Sequence, residues 1–349
     1  MRKICFFTGS RAEYGLLAPL MHRVNQFEIL VLQLIVSGMH LSPEFGLTYR
    51  EIEEEGFVID EKVPILQGID TPIGISESIG LGVQGVAHAL NRLKPDLLVL
   101  LGDRFETFAA ATAALVQCIP IAHIHGGEST QGAMDEAFRH AITKMSHLHF
   151  ASTEEYRRRI IQLGENPKRV FNVGAIGLEN IESLNLLSRQ ELEADLGFRF
   201  GETNLLVTFH PVTLEKQSAH VQFSELLRAL DQLAPTKVIF TKANADTDGR
   251  IINRLIDSYV SERPDRTLAA TSLGQLRYLS TMRQVDAVVG NSSSGIIEAP
   301  SLGIPTVNIG DRQKGRVKVA SVIDCAPTTN DIVEACRHAC TKKLKKIAE

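Results

Sequence analysis

The stretch HIHGGESTQGAMDEAFRH, residues 123–140, brings three histidines together with several carboxylates. Two kinds of chemistry suit such a set. His123 and His125 form an H-x-H pair of the kind that begins many metal sites, whereas Glu128 and Asp135 are carboxylates that can move protons. His123 is predicted within a strand whose side chains alternate, so His125 should point the same way and a metal pair is one alternative.

We favour the acid/base interpretation of this stretch. A zinc site needs three or four ligands with supporting hydrogen bonds, and the two histidines can serve equally as hydrogen-bonding groups. We therefore expect no metal. For Asp135 and Arg139, which stand four residues apart on a predicted helix, an ion pair on the helix face is the simpler interpretation.

Buried strands and amphipathic helices alternate along the chain and should position these residues. This order predicts repeated βα units and parallel sheets. The first series of strands is expected at 3–9, 29–38, 96–103, 119–127, 147–152 and 169–174. A polar, irregular stretch at 176–203 interrupts the rhythm, and the second series is expected at 204–211, 237–244, 267–272, 286–295 and 305–312.

The predicted fold is α/β, with two Rossmann-like doubly wound domains facing a central cleft, because 349 residues exceed one ordinary core. We expect an N-terminal domain at 1–175, which carries the acid/base residues, and a C-terminal domain at 176–328. A C-terminal helix at 329–349 should pack back across the domains.

Polar residues recur where the predicted strands end. Ligands of doubly wound sheets bind outside the carboxyl ends of the strands, so these positions form the candidate site. They are Asp103, His125, Glu128, His210, Asn244 and Ser292.

Two segments suggest anion binding. Arg11 follows the first strand, at the entrance of a helix expected to start near Tyr14, and an arginine beside backbone amides suits an anion. Ser292 and Ser293 stand in a turn that feeds a helix, so hydroxyls, backbone N–H groups and the helix dipole can cradle a phosphate. A surface arginine and a plain helix cap are the simpler alternatives. Glu298 lies one turn into that helix, and its carboxylate can accept hydrogen bonds from the hydroxyls of a ribose.

The sequence GLGVQG at 80–85 matches a dinucleotide fingerprint, but its context does not. The fingerprint needs a strand directly before it, and here the glycines lie inside a predicted helix at 75–93. We interpret them as small residues where the helix passes close to a neighbour. No nicotinamide cofactor is expected.

The composition favours a cytoplasmic enzyme. A net charge of −4 gives no reason to expect nucleic acid or a membrane surface as partner. Five scattered cysteines without a C-x-x-C pair argue against disulfides and a thiolate zinc site. No apolar stretch reaches membrane length.

Several motifs in fixed order resemble the hydrolysing UDP-N-acetylglucosamine 2-epimerases of bacterial sialic-acid and legionaminic-acid pathways. They are GSRAEYG, LGDRFET, HIHGGE with DEAFRHAITK, TFHPVTLE, GNSSSG and NIGDRQ, spanning residues 3 to about 318. The resemblance implies the GT-B arrangement, no cofactor and no obligatory metal. Relatives often read H-x-E-G-G where this chain has His125, so either His125 or Glu128 takes the place of that glutamate. We also expect a homodimer or homotetramer.

The resemblance also implies roles for individual residues. Arg11 would contact the phosphates of the nucleotide sugar, with Ser292, Ser293 and Arg312 holding UDP, while Asn244 is a further substrate-binding candidate. Glu298 would take the ribose hydroxyls. The reaction centre would comprise Asp103, Asp135 and His210, with Glu128 and His125 as additional acid/base candidates.

The expected reaction converts UDP-N-acetylglucosamine to N-acetylmannosamine and UDP, which makes the enzyme a hydrolase of the glycosidase type. A base removes the C2 proton as UDP leaves, and water adds to the glucal-type intermediate while an acid reprotonates C2 from the other face. Alternatives are the same reaction on UDP-2,4-diacetamido-2,4,6-trideoxy-glucose and a GT-B glycosyltransferase that needs an acceptor. A metal-dependent hydrolase and a non-catalytic nucleotide-sugar sensor are more distant hypotheses.

Overall fold

The computed structural model describes residues 1–215 and 218–341, and it divides into two units. The first consists of Met1–Ser129 and Met134–Ile176, and the second of Thr130–Ala133 and Gly177–Glu349. The division along the chain thus falls one residue after the predicted boundary. It also assigns four residues of the loop after the HIHGGE motif to the second unit.

The first unit is built on a seven-stranded parallel sheet in the order β3-β2-β1-β4-β5-β6-β7. Its strands are β1 (Arg2–Thr8), β2 (Leu30–Ser37), β3 (Glu61–Val63), β4 (Leu97–Leu101), β5 (Ile121–Ile124), β6 (Leu148–Ala151) and β7 (Val170–Asn172). Its α-helices are α1 (Arg11–Asn25), α2 (Tyr49–Glu54), α3 (Pro72–Leu93), α4 (Phe105–Val116), α5 (Asp135–Met145) and α6 (Glu154–Gln162).

The second unit has a six-stranded parallel sheet in the order β10-β9-β8-β11-β12-β13. Its strands are β8 (Asn204–Thr208), β9 (Lys237–Thr241), β10 (Thr267–Ala270), β11 (Ala287–Gly290), β12 (Thr306–Ile309) and β13 (Val322–Cys325). Its α-helices are α7 (Gly177–Ser183), α8 (Arg189–Leu196), α9 (Ser218–Gln232), α10 (Gly249–Ser261), α11 (Gly274–Gln284), α12 (Ser294–Ser301) and α13 (Thr329–Ala339).

Both sheets are buried on two faces, which explains the continuous apolar runs of their strands. In β1, Phe7 belongs to one buried cluster and Phe6 to another, and in β4 Leu100 and Leu101 divide in the same way. Because side chains alternate along a strand, these clusters are the two faces of one sheet. The second unit repeats the arrangement with its own two clusters. The α/β fold of two Rossmann-like units is therefore confirmed.

Every predicted strand is present, but two short strands at sheet edges were missed. β3 has three residues and β13 has four, and both contain charged residues, so neither carries the apolar run of a central strand. The stretch 176–203 was wrongly taken as irregular, since α7 and α8 lie there. Their sequences are polar because they bury few side chains; in α8 only Leu192 is buried.

The C-terminal helix begins at the predicted residue. α13 contacts α9 and the strands β11, β12 and β13, all within the second unit. The helix ends at Ala339 and not at the predicted residue 349, and the predicted part from 342 to 349 lies outside the described residues. Within the described part of the chain, no helix combines the length and the apolar character needed to cross a membrane.

The GLGVQG sequence lies inside α3, as predicted, and its glycines allow close packing. A Cβ on Gly82 would come within 2.8 Å of the Cβ of Ala109 on α4, and one on Gly85 within 2.4 Å of Val63. Gly80 has nothing within 4 Å of the same position. The motif therefore serves helix packing.

We predict opposite effects for two alanine substitutions in this helix. Gly80→Ala should stabilise the protein by about 0.5–1 kcal/mol, because glycine is a poor helix former and the site is open. Gly82→Ala should destabilise it, because the added methyl meets Ala109. The midpoint of urea unfolding measures both, and equal shifts in the two variants would contradict the packing argument.

Candidate functional site

The acid/base residues of the first unit follow the ends of β4 and β5 or begin α5. Strand pairing places Leu101 of β4 beside Ile124 of β5, so Asp103 and His125 emerge at neighbouring strand ends. Asp135 is the first residue of α5, and Arg139 lies one turn later on that helix. Parallel pairing thus gathers residues that are distant in sequence.

Arg139 is the centre of this group. Its side chain is 3% exposed, and Nη2 donates a hydrogen bond to Asp103 Oδ2. Nη1 donates to Glu128 Oε2 at 3.3 Å and to the carbonyl of His125 at 3.0 Å. Burial alone disfavours the charged guanidinium, but Asp103, Glu128 and Asp135 outweigh this effect and raise the pKa of Arg139. We call Asp103, His125, Glu128 and Arg139 the acid/base cluster.

The expected ion pair between Asp135 and Arg139 therefore describes only part of the surroundings of Arg139. Arg139 bonds the carboxylates of Asp103 and Glu128, and Asp135 adds to the field around it. Asp135 itself is nearly buried, at 9% exposure. Sequence spacing identifies helix neighbours, but it cannot reveal that Arg139 points toward the ends of two other strands.

Three side chains contact the carboxylate of Glu128. Besides Arg139, Ser152 Oγ donates to Oε1 at 2.8 Å, and His125 Nδ1 lies 3.3 Å from the same oxygen. Ser152 follows the end of β6 and was missed in the sequence, where nothing sets this serine apart. The exposure of the two carboxylates differs: the Asp103 side chain is 19% exposed and that of Glu128 is 2% exposed.

The assumption that His125 points the same way as His123 is wrong. β5 ends at Ile124, and His125 has a φ of 61°, so the alternation of the strand does not continue through it. His123 Nε2 donates to the carbonyl of Gly102 at 2.7 Å, and Nδ1 lies 3.2 Å from Thr143 Oγ1. Within residues 1–215 and 218–341, no group of three or more His, Cys, Asp or Glu side chains is arranged to hold a metal.

Arg11 is the first residue of α1, which begins three residues earlier than predicted. Ser10 and Glu13 form a capping box there, and the amides of Gly9 and Ser10 donate to the Glu13 carboxylate at 2.7 and 3.2 Å. Burial, together with Glu106, raises the pKa of Glu13 to about 7. The amides proposed to help Arg11 bind an anion thus already serve a side chain of the protein.

In the second unit, Asn291 organises the residues that follow β8 and β11. Its side chain accepts from the amide of His210 at 2.7 Å and donates to the carbonyl of His210 at 2.8 Å. Its own carbonyl accepts from Arg312 Nη1 at 3.0 Å and from Gln313 Nε2 at 2.8 Å. Asn291 thus joins His210 to the loop of Arg312. It stands directly before the predicted serines, and its role was missed.

His210 and Asn244 are also neighbours. The amide of Asn244 donates to His210 Nδ1 at 3.5 Å. Because a backbone amide can only donate, Nδ1 is an acceptor and the proton of neutral His210 sits on Nε2. His210 therefore presents an N–H donor on its other ring nitrogen.

The serine residues form a compact turn at the start of α12. Ser292 Oγ lies 3.0 Å from Ser294 Oγ and accepts from the amide of Ser294, while Tyr278 OH lies 2.5 Å from Ser294 Oγ. Ser293 precedes the helix without a capping hydrogen bond from its side chain, so the plain-cap interpretation fails for it. Glu298 is half-buried and lies in the second turn of α12.

One glycine brings a further loop of the second unit close to Arg312. A Cβ on Gly132 would come within 2.9 Å of the Cα of Arg312 and within 2.8 Å of the carbonyl oxygen of Asp311. The amide of Gln131 also donates to the carbonyl of Lys314 at 3.3 Å. A side chain at residue 132 would displace the Arg312 loop.

Two doubly wound α/β units with polar residues at the carboxyl ends of their strands define a class of proteins that bind ligands at those strand ends. The profile of one such family, described as UDP-N-acetylglucosamine 2-epimerase, matches residues 22–349. The chain belongs to the UDP-N-acetylglucosamine 2-epimerase family.

Relatives are similar in sequence over nearly the whole chain, and a solved structure is similar in fold. The chain is 43% identical to a hydrolysing GDP/UDP-N,N'-diacetylbacillosamine 2-epimerase of Campylobacter jejuni, over 99% of this chain and 89% of the relative. It is 41% identical to polysialic acid biosynthesis protein P7 of Escherichia coli, over 100% and 89%. The epimerase of Methanocaldococcus jannaschii, solved with UDP-GlcNAc and UDP, matches with a TM-score of 0.80 at 18% identity, over 98% and 94%.

We predict that buried His123 makes the protein less stable in acid. Burial lowers its pKa to about 3, whereas an unfolded histidine titrates near 6.5. Below pH 6.5 the unfolded chain therefore binds the extra proton, and the contribution of His123 falls by up to about 1.4 kcal/mol per pH unit. Urea unfolding from pH 7 to pH 4.5 should show a shallower loss in His123→Gln than in the wild type. Parallel curves would contradict this assignment.

We also predict that Asn291→Ala lowers the free energy of unfolding by about 2–4 kcal/mol, because two buried backbone groups of His210 lose their partners. Asn308→Ala is the matched control. Asn308 is equally buried in the second unit, but its side chain makes one hydrogen bond, to Asp324 at 2.7 Å. Urea unfolding should show a smaller loss of free energy of unfolding for the control. Equal losses in the two variants would contradict the stabilising role given to the hydrogen bonds between Asn291 and the His210 backbone.

Proposed function

We propose that this protein is a hydrolysing 2-epimerase of UDP-2-acetamido sugars. The observation that carries the proposal is the acid/base cluster, in which one buried guanidinium holds a partly exposed carboxylate, Asp103, beside a buried one, Glu128. Membership of the epimerase family supports the reaction. Neither cofactor nor metal has a part in the proposed mechanism.

The reaction requires a base and a stabilised leaving group. The C2 hydrogen is not acidic until UDP departs and C1 gains oxocarbenium character, so C–H and C–O cleavage must be coordinated. Asp103 takes the C2 proton as the C1–O bond breaks and the electrons leave with UDP. Asp135, protonated in the substrate complex, then delivers its proton to C2 of the glucal-type intermediate from the opposite face while water adds its oxygen to C1. The proton that this water gives up restores Asp135, and Asp103 passes the proton taken from C2 to solvent.

We propose that the second unit binds the nucleotide part of the substrate. The serine turn, with Ser292 and Ser293 at the start of α12, combines hydroxyls with the N-terminus of a helix, which suits a phosphate. Arg312 adds positive charge, and His210 can donate from Nε2. We assign Arg11 and Asn244 to further contacts with the sugar nucleotide, and Glu298 to the ribose hydroxyls.

For the sugar, we propose UDP-2,4-diacetamido-2,4,6-trideoxy-glucose as the preferred substrate. The 43% identical relative is named for diacetylbacillosamine, which favours a 4-acetamido group. UDP-N-acetylglucosamine is the second candidate, favoured by the name of the family and by the polysialic acid protein. The proposed setting is the cytoplasm, with the protein acting as a homodimer or homotetramer.

Turnover in labelled water tests the proposal. Either UDP-sugar, incubated with the enzyme in D₂O, should release UDP without an added acceptor and give a manno product with deuterium at C2. In H₂¹⁸O the label should enter the sugar and not UDP, because the C1–O bond breaks. Mass spectrometry and proton NMR read both labels. The preferred substrate should show the larger kcat/KM.

Each alternative gives a different result. A glycosyltransferase should release little UDP without an acceptor, and a sensor should release none. A simple hydrolase should keep the gluco configuration with no label at C2. A manno product without deuterium at C2 would defeat the elimination mechanism and the roles given to Asp103 and Asp135.

A further inference from the structure

The two carboxylates of the acid/base cluster have different surroundings. Glu128 is enclosed and accepts hydrogen bonds from Arg139 and Ser152, and His125 Nδ1 lies 3.3 Å from its Oε1. Asp103 receives Nη2 of the same arginine but keeps 19% of its side chain exposed. Glu128 is thus surrounded by groups of the protein, whereas Asp103 is the carboxylate of the pair that can meet a substrate.

The hydrogen bonds of His125 assign its proton. Its Nε2 faces the amide of Ile176 at 3.4 Å, and this amide can only donate. The proton of neutral His125 is therefore on Nδ1, directed at Glu128 Oε1, 3.3 Å away. In this arrangement Nδ1 of His125 faces the carboxylate of Glu128 and Nε2 of His125 faces the amide of Ile176.

We propose that Arg139 is the positioning residue of the reaction centre. It holds Asp103 in place for the C2 proton through Nη2 and is itself fixed by Glu128 and the His125 carbonyl through Nη1. Glu128, supported by His125 and Ser152, is the buried counter-charge that orients the guanidinium. His125 and Glu128 thus act together in holding Arg139.

A guanidinium is needed here because two different nitrogens must donate hydrogen bonds to Asp103 and to Glu128 at the same time. Two carboxylates and a carbonyl are reached by Nη1 and Nη2 of one rigid planar group. The single ammonium nitrogen of a lysine cannot span them. Lysine at this position would keep the buried positive charge, so the fold survives, but Asp103 would lose its fixed orientation.

This inference rests on the proposed function, and the test begins with wild-type turnover of the UDP-sugar. Arg139→Lys should fold and bind UDP as the wild type does, with KM changed less than about threefold, while kcat falls about 100-fold or more, as expected for a misplaced reacting group. Arg139→Ala should be as slow, and added guanidinium chloride, below denaturing concentrations, should restore part of its kcat.

Arg104→Lys is the matched control. Arg104 is also buried in the first unit and forms two hydrogen bonds with one carboxylate, Glu106, at 3.1 and 3.0 Å. This variant should lose thermal stability comparable to that lost by Arg139→Lys, yet keep kcat within about tenfold of the wild type and show no response to guanidinium, because loss of an ion pair alone does not misplace the base.

The outcomes separate the two hypotheses. If the wild type turns over no UDP-sugar, the proposed function fails and takes this inference with it. If the wild type is active and Arg139→Lys keeps wild-type kcat, only the role of Arg139 is overturned. Equal losses of kcat in Arg139→Lys and Arg104→Lys, without rescue of Arg139→Ala by guanidinium, would likewise reduce Arg139 to a structural ion pair. Should Arg139→Ala not fold, the Arg139→Lys comparison still decides.

Discussion

The parallel hydrogen bonding of two sheets is the constraint on which the rest of this molecule depends. Because all strands of a sheet run the same way and both faces are covered, polar residues collect where the strands end. Pairing of Leu101 with Ile124 brings Asp103 beside His125, and pairing of Thr208 with Gly290 brings His210 beside the turn after β11. The registers of the strands therefore set which of these polar residues become neighbours.

This arrangement buries charged and polar groups at the strand ends, and the two units stabilise these groups in different ways. In the first unit, the guanidinium of Arg139 forms ion pairs with the carboxylates of Asp103 and Glu128. In the second, the neutral amide of Asn291 binds the backbone of His210, and its carbonyl accepts from Arg312. Charge pairing orients acid/base groups, whereas neutral hydrogen bonds fix the backbone of a loop.

Backbone geometry refines what strand pairing begins. Gly290 ends β11 with a φ of 137°, and a side chain there would come within 1.9 Å of the carbonyl oxygen of Thr208. His125 leaves β5 in the left-handed region, which turns its ring toward Glu128. These two departures from extended backbone set the direction of the chain after each strand. The periodic pattern of apolar residues in the sequence does not predict either of them.

The sequence by itself determined the fold class, the central strands of each half, and the positions at which polar residues leave those strands. These follow from local periodicity, since a buried parallel strand needs an apolar run and its end needs a turn. It also showed that GLGVQG belongs to a helix. The edge strands β3 and β13 and the helices α7 and α8 were missed, because short or weakly buried elements carry little periodic signal.

Only the tertiary structure decided which side chains meet. Arg139 looked like the helix partner of Asp135, but it reaches Asp103 and Glu128 from other strand ends. Ser152 and Asn291 were ordinary polar residues until folding placed them against Glu128 and His210. Such contacts join residues tens of positions apart and depend on strand register, backbone φ and rotamer together, which no local pattern in the sequence encodes.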